Sequence, residues 1–241
     1  MTGTYRIADR IISIESIHEY VHRLCRDYAV QETSADLGVR ISQEDIDNER
    51  RRSGGADGED RAPFSDAYLE TLAVYRKIAE DMPLHDTVLF HGSCVAVDGE
   101  GYLFAAASGT GKSTHAALWR KILGDRAVMI NDDKPFIRID SGGAVIYGTP
   151  WDGKHRLSTN TSVPLKAICL LERAQQNHIE RADPREAYPG LLRQVYRPAD
   201  GEALARTVSL VDMLMREVDL WRLGCNMEDD AAWTSYNAMR G

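Results

Sequence analysis

Phe104-Ala105-Ala106-Ala107-Ser108-Gly109-Thr110-Gly111-Lys112-Ser113-Thr114-His115 is the stretch on which the reading of this chain turns. An apolar run, 102–105, enters a loop of small residues, and a helix-forming segment begins near Gly111. A glycine loop between a strand and a helix is the setting in which backbone N–H groups and a helix N-terminus converge on a phosphate. Lys112 adds a mobile positive charge for the outer phosphates, and the Ser113 hydroxyl is the expected ligand for a magnesium ion. The expected nucleotide contacts are Ala107, Ser108, Gly109, Thr110, Gly111, Lys112, Ser113 and Thr114. The usual pattern opens with glycine where this chain has Ala106, and the alternative is a glycine-rich turn with an incidental lysine.

Working outward, the centre of the chain is rich in strands. Runs at 87–90 and 94–97 precede the loop, and the second meets the loop strand across Asp98-Gly99-Glu100-Gly101, a four-residue connection typical of a hairpin. The strand feeding the loop is therefore expected to lie antiparallel to its sequence neighbour. Doubly wound nucleotide folds instead reach each parallel strand through a helix. Gly124 is placed to end the loop helix, and 127–130 reads as a buried strand running into Asn131-Asp132-Asp133. A second hairpin joins 136–139 to 144–147, and 166–172 is a further strand. Helix is expected over 203–218 and 229–239, with a short strand at 220–223. The fold class expected is α/β of an α+β-like kind, with a mixed, largely antiparallel sheet.

Ahead of this core, residues 4–14 alternate loosely and read as one strand. Ile17, Tyr20, Val21, Leu24 and Cys25 then recur at helical spacing, and 39–41 suits a second short strand. The run from 44 to 60 is charged, ends in Ser53-Gly54-Gly55-Ala56-Asp57-Gly58-Glu59-Asp60, and is expected to be a mobile loop. Ser65 is an expected N-cap for a helix through Tyr68, Leu69, Leu72, Val74, Tyr75 and Ile78. This organisation divides the chain into a small N-terminal α/β segment, 1–63, and a larger domain, 64–241. A chain of 241 residues has room for a sizeable core. Its 43% hydrophobic and 27% charged residues are those of an ordinary soluble protein. The net charge of -8 argues against a general nucleic-acid binder. No run is long enough to span a bilayer, nothing resembles a signal sequence, and a cytoplasmic location is expected. Cys25, Cys94, Cys169 and Cys225 are widely spaced and read as buried free thiols.

Three further groups carry chemistry. Asp132 and Asp133 end a buried strand downstream of Lys112, where one carboxylate can hold a metal while the other accepts the proton of an incoming hydroxyl. A turn cap is the plain alternative, since Lys134-Pro135 follows. His91 closes a strand before Gly92-Ser93 and reads equally as a structural histidine or as a ligand for metal or phosphate. His115 carries less weight. Gly148-Thr149-Pro150-Trp151-Asp152-Gly153-Lys154-His155-Arg156 is glycine-punctuated, aromatic and cationic, and Lys154, His155 and Arg156 are candidate acceptor-binding residues.

The loop, His91-Gly92 with its hairpin, and Asp132-Asp133 together resemble the catalytic core of the HPr kinase/phosphorylase and ATP-dependent phosphoenolpyruvate carboxykinase group, over roughly 87–157. The resemblance implies a P-loop kinase core, ATP as cofactor with Mg2+ or Mn2+, and transfer of the γ-phosphate to a hydroxyl acceptor. Carried over, Lys112 binds phosphates, Ser113 and Asp133 hold metal, Asp132 and Asp133 divide metal binding and proton acceptance, and His91 supports the reacting phosphate. HPr kinases have Glu where this chain has Thr114, and their arginine- and glycine-rich signature segment is not evident. The reading is an ATP-dependent kinase whose acceptor is a serine of a protein or peptide or a small hydroxylated metabolite. The alternative is a nucleotide-binding regulatory module. ATP and the acceptor are the expected partners, without nucleic acid or membrane, and a homo-oligomer is allowed.

Overall fold

In the computed structural model, which describes residues 1–53 and 64–241, the alternating residues 4–14 form a hairpin rather than one strand. Strands β1 (Thr2–Ile7) and β2 (Arg10–Glu15) run antiparallel, and Ala8 and Asp9 make the turn at φ 50° and 60°. Two left-handed residues match the twist of paired strands, but Ala-Asp lacks the Asn-Gly signature that reveals such a turn. Strand β3 (Leu37–Arg40) joins parallel to β2, after a connection containing helix α1 (Tyr20–Leu24). Helix α2 (Gln43–Ser53) occupies the start of the charged run read as a mobile loop. Ile46 anchors it, and Oε1 of the buried Glu49 carboxylate accepts from Arg52 and Arg76, each at 2.7 Å, which offsets the penalty of burying a charge. The remainder of that run lies outside the described residues. Helix α3 (Asp66–Asp81) starts at Ser65 as expected, the hydroxyl accepting from Tyr68 N–H at 3.3 Å. Its buried Glu70 accepts the N–H groups of Ile17 and His18 at 2.5 and 2.8 Å. These elements form one compact unit, Met1–Asp81.

The second unit, Met82–Gly241, is built on a nine-stranded sheet. Its elements in chain order are β4 (Thr87–Leu89), β5 (Ser93–Val97), β6 (Glu100–Ala105), α4 (Lys112–Leu123), β7 (Ala127–Asn131), β8 (Phe136–Asp140), β9 (Gly143–Tyr147) and β10 (Ser162–Arg173). There follow β11 (His178–Arg181), α5 (Pro184–Gln194), α6 (Gly201–Glu217), β12 (Asp219–Cys225) and α7 (Asp229–Met239). The strand order is β4-β8-β9-β10-β6-β5-β7, with β12 beside β10 and β11 beside β12. Every pairing is antiparallel except those of β10 with β6 and with β12, which makes the sheet mixed and largely antiparallel, as the hairpin spacing predicts. The long strand β10 changes neighbours along its length. Around Pro164 it lies against β9, and past a register shift at Leu165/Ala167 it runs between β6 and β12.

Both faces of the central strands are buried, and their period-two alternation sends side chains into two separate cores. Cys94, Ala96, Leu103 and Ile168 pack with Leu191 of α5 and Leu210 and Leu214 of α6. Val95, Tyr102, Phe104 and Cys169 pack on the other face with Trp119 of α4 and Tyr236 of α7. The sequence reading leaves β11 and α5 unassigned, because Pro189-Gly190 inside α5 imitates a break. Asp183 nevertheless caps α5, accepting Arg185 N–H at 2.8 Å. All four cysteines are free, three of them buried and Cys225 partly exposed. Among the described residues no helix is long and apolar enough to cross a membrane.

Candidate functional site

Strand β5 runs antiparallel to both β6 and β7, so β6 and β7 point the same way on either side of it. The C-terminal ends of β6 and β7 therefore meet the N-terminal end of β5 at one edge of the sheet. That edge brings together the glycine loop after Ala105, Asp132 and Asp133 after Asn131, and His91-Gly92 before Ser93.

The loop itself, 106–111, turns on Gly109 (φ 76°) and Gly111 (φ 125°). A Cβ added at either would meet nothing within 4 Å, so the requirement is for a backbone angle that other residues resist, not for space. No side chain caps the N-terminus of α4. Its first-turn N–H groups are left for an anion, which is the fit that a nucleotide phosphate needs. Lys112 is buried and reaches back to the Ala106 carbonyl at 3.0 Å. Burial pushes its pKa below the usual lysine range, and the charge of Lys134 adds to this while Asp133 and Asp132 oppose it. Ser113 is half-buried, whereas Ala107, Ser108, Gly109 and Thr114 are exposed around the loop and Thr110 and Gly111 are half-exposed. Arg173, at the end of β10, donates to the Gly109 carbonyl at 2.6 Å.

Helix α4 is seated by aromatic packing. The Trp119 ring lies 5.0, 5.2 and 5.4 Å from those of Tyr102, Phe104 and Tyr236. Ser235 of α7 accepts the Trp119 indole N–H at 2.8 Å and bonds His115 at 2.9 Å. His115 is thus part of the packing between α4 and α7, in keeping with its lesser weight in the sequence.

Asp132 is buried, and the Ser93 hydroxyl donates to its Oδ1 at 2.7 Å. Asp133 stands between Lys134 and His91, with Lys134 Nζ 3.2 Å from Oδ2 and His91 Nε2 3.5 Å from Oδ1. His91 is pushed down to about 4, first by burial and then by Lys112 and Lys134. It is therefore neutral near pH 7, and the short His91–Asp133 approach is not an ion pair there. The turn holding these carboxylates is organised by Asn131, whose Oδ1 accepts the N–H groups of Asp133 and Lys134 at 2.9 and 2.6 Å. Its amide nitrogen donates to the Thr149 carbonyl at 3.1 Å. On the other side of the loop, Gln194, with its amide turned to face two carbonyls, donates to His91 O at 3.3 Å and to Ala106 O at 3.2 Å.

The loop root after β9 also reaches this edge. A Cβ at Gly153 would lie 3.1 Å from Asp133 Cβ. Lys154, His155 and Arg156 follow it and are exposed, with Arg156 3.5 Å from the buried Asp152, whose carboxyl burial pushes above the usual range. The structure thus gathers Lys112, Asp132, Asp133, His91 and the root of the 154–156 segment. Ser93, Asn131, Lys134 and Gln194 were not singled out from sequence. Only Asn131 and Lys134 carried a local signal, the turn-forming Asn-Asp-Asp-Lys run.

Fold and site together define a mixed α/β protein built around a strand, glycine loop and helix, with two aspartates and a histidine at the same sheet edge. The chain belongs to the family of the SynChlorMet cassette protein ScmC, whose model matches residues 65–193. Among solved structures it is distantly similar to the Hpr(Ser) kinase/phosphatase from Coxiella burnetii, with 9% identity and a TM-score of 0.32 over 64% of this chain and 99% of that one. No curated protein matches it in sequence.

Proposed function

We propose that this protein is an ATP-dependent phosphotransferase that moves the γ-phosphate to a hydroxyl group, on a serine of a protein or peptide or on a small hydroxylated metabolite. The observation that carries the reading is the meeting, at one sheet edge, of the uncapped α4 N-terminus and Lys112 with the Asp132-Asp133 pair. Bound magnesium ATP supplies the phosphoryl group and part of the charge neutralisation. The loop N–H groups and Lys112 would hold the phosphates, and the Ser113 hydroxyl and Asp133 carboxylate would hold Mg2+ or Mn2+. Asp132, oriented by Ser93, would accept the proton of the incoming hydroxyl, and neutral His91 would support the reacting phosphate. Lys154, His155 and Arg156 follow Gly153, whose backbone packs against Asp133, and would contact the acceptor.

The test is transfer from γ-labelled ATP into host lysate, separated into protein and small-molecule fractions, with Lys112→Ala as control. Label entering one fraction with wild type and not with the variant is the expected result and names the acceptor class. Magnesium-dependent ATP binding without transfer to either fraction would favour a regulatory module instead.

A further inference from the structure

Lys134 is a cation of this edge that the sequence presents only as part of a turn. Its backbone is fixed at both polar atoms, since its N–H donates to Asn131 Oδ1 at 2.6 Å and its carbonyl accepts the Thr149 hydroxyl at 2.8 Å. Its side chain is 21% exposed, and Nζ lies 3.2 Å from the Asp133 carboxylate. The same carboxylate faces His91, and the Lys134 charge reaches both Lys112 and His91. The Lys112 and Lys134 ammonium groups repel each other, and an anion of higher charge would relieve that repulsion.

We propose that Lys134 is a second phosphate-binding lysine, which leaves Asp133 for the terminal phosphate of a bound nucleoside triphosphate and so frees the Asp133 carboxylate for the divalent cation. This rests on the phosphotransferase reading and deepens it. A magnesium triphosphate keeps a net negative charge, and Asp132 and Asp133 add two more, so Lys112 alone leaves the site under-neutralised. Lys134 already stands at the carboxylate that the metal needs. Its flexible stem allows the ammonium to move while the backbone stays pinned by Asn131 and Thr149. The step is an exchange of ion pairs, with no bond made or broken.

Isothermal titration in magnesium tests this with three ligands, a non-hydrolysable ATP analogue, ADP and inorganic tripolyphosphate, against wild type, Lys134→Met and Lys134→Arg. Lys134→Met is expected to weaken the ATP analogue and tripolyphosphate by about 10- to 100-fold, as for one charge-assisted hydrogen bond, and ADP by less than about threefold. Lys134→Arg should retain most of the affinity. Equal weakening of ADP and the triphosphates, or no weakening of any, overturns the proposal. A wild type that binds none of the three ligands removes the phosphotransferase reading as well, whereas a wild type that binds and a Lys134→Met that matches it removes this inference alone. Should Lys134→Met fail to fold, NMR of wild type carrying 13C at lysine Cε decides, with the Lys134 signal assigned from Lys134→Arg. That signal must shift with the ATP analogue and not with ADP, and a signal unmoved by the analogue overturns the proposal.

Discussion

Asp132 and Asp133 are neighbours with different surroundings, and the difference predicts different phenotypes. Asp132 is buried with one oxygen held by Ser93, while Asp133 is more open and lies between Lys134 and His91. Asp132→Asn should still bind magnesium nucleotide but lose about 100- to 10,000-fold in transfer rate, the range for a lost general base. Asp133→Asn should lose nucleotide affinity as well. Titration calorimetry beside turnover assays separates the two, and equal, small effects would reduce the pair to turn residues. Lys112→Ala should cost roughly 100- to 1000-fold in turnover, on the scale of one electrostatic donor, while circular dichroism shows an intact fold. The glycine loop between a strand and a helix and the acidic pair at a strand end were legible in the sequence because both are local patterns of residue type and spacing. Ser93 and Gln194 were not, since a serine or glutamine acquires its role only from what the fold sets beside it.

At the scale of elements, the site is held by close approaches between segments. Gly148 follows β9 where the chain crosses the residues beside β7, and a Cβ there would come within 1.9 Å of the Thr159 carbonyl and 2.7 Å of that of Ile130. Gly148→Ala must push these backbones apart, so thermal unfolding should fall by several degrees, with a matching loss of transfer activity because Asn131 and Thr149 are displaced together. The seat of α4 carries a pH dependence. Burial pushes His115 down to about 4 from an ordinary value of 6.5, so in the folded protein it stays neutral where the unfolded chain would be protonated. Its contribution to stability is complete above pH 6.5 and is lost as pH falls toward 4, amounting to at most roughly 3 kcal/mol. Denaturation of His115→Phe followed across that interval should show a shallower decline than wild type, and an identical slope would leave the decline to other groups. Lys154→Ala is predicted to slow transfer to the acceptor more than it weakens ATP binding. Wild-type kinetics in both Lys154→Ala and His155→Ala would make the segment ordinary surface.

For the whole molecule, the division at Asp81 predicts where the function resides. Residues 82–241 contain the complete nine-stranded sheet, both of its cores, the glycine loop and every candidate site residue. Expressed alone, that segment should fold cooperatively and bind magnesium ATP with the affinity of the full chain, and a fragment that unfolds or loses binding would show that Met1–Asp81 is required. The sequence by itself determined the local units of this protein. A hairpin, a glycine loop, a helix stop at Gly124 and a strand running into two aspartates each rest on backbone angles and period-two burial, which act between residues close in the chain. It misread the turn at Ala8-Asp9 and the helix Gln43–Ser53 and left the helix Pro184–Gln194 unassigned, where tertiary contacts overrule weak local signals. Only the tertiary structure decided that β6 and β7 flank β5 and point the same way. That order follows from burying two apolar faces of one sheet at once, a condition on residues far apart in sequence, and it sets His91, Lys112, Asp133 and Lys134 at a single edge.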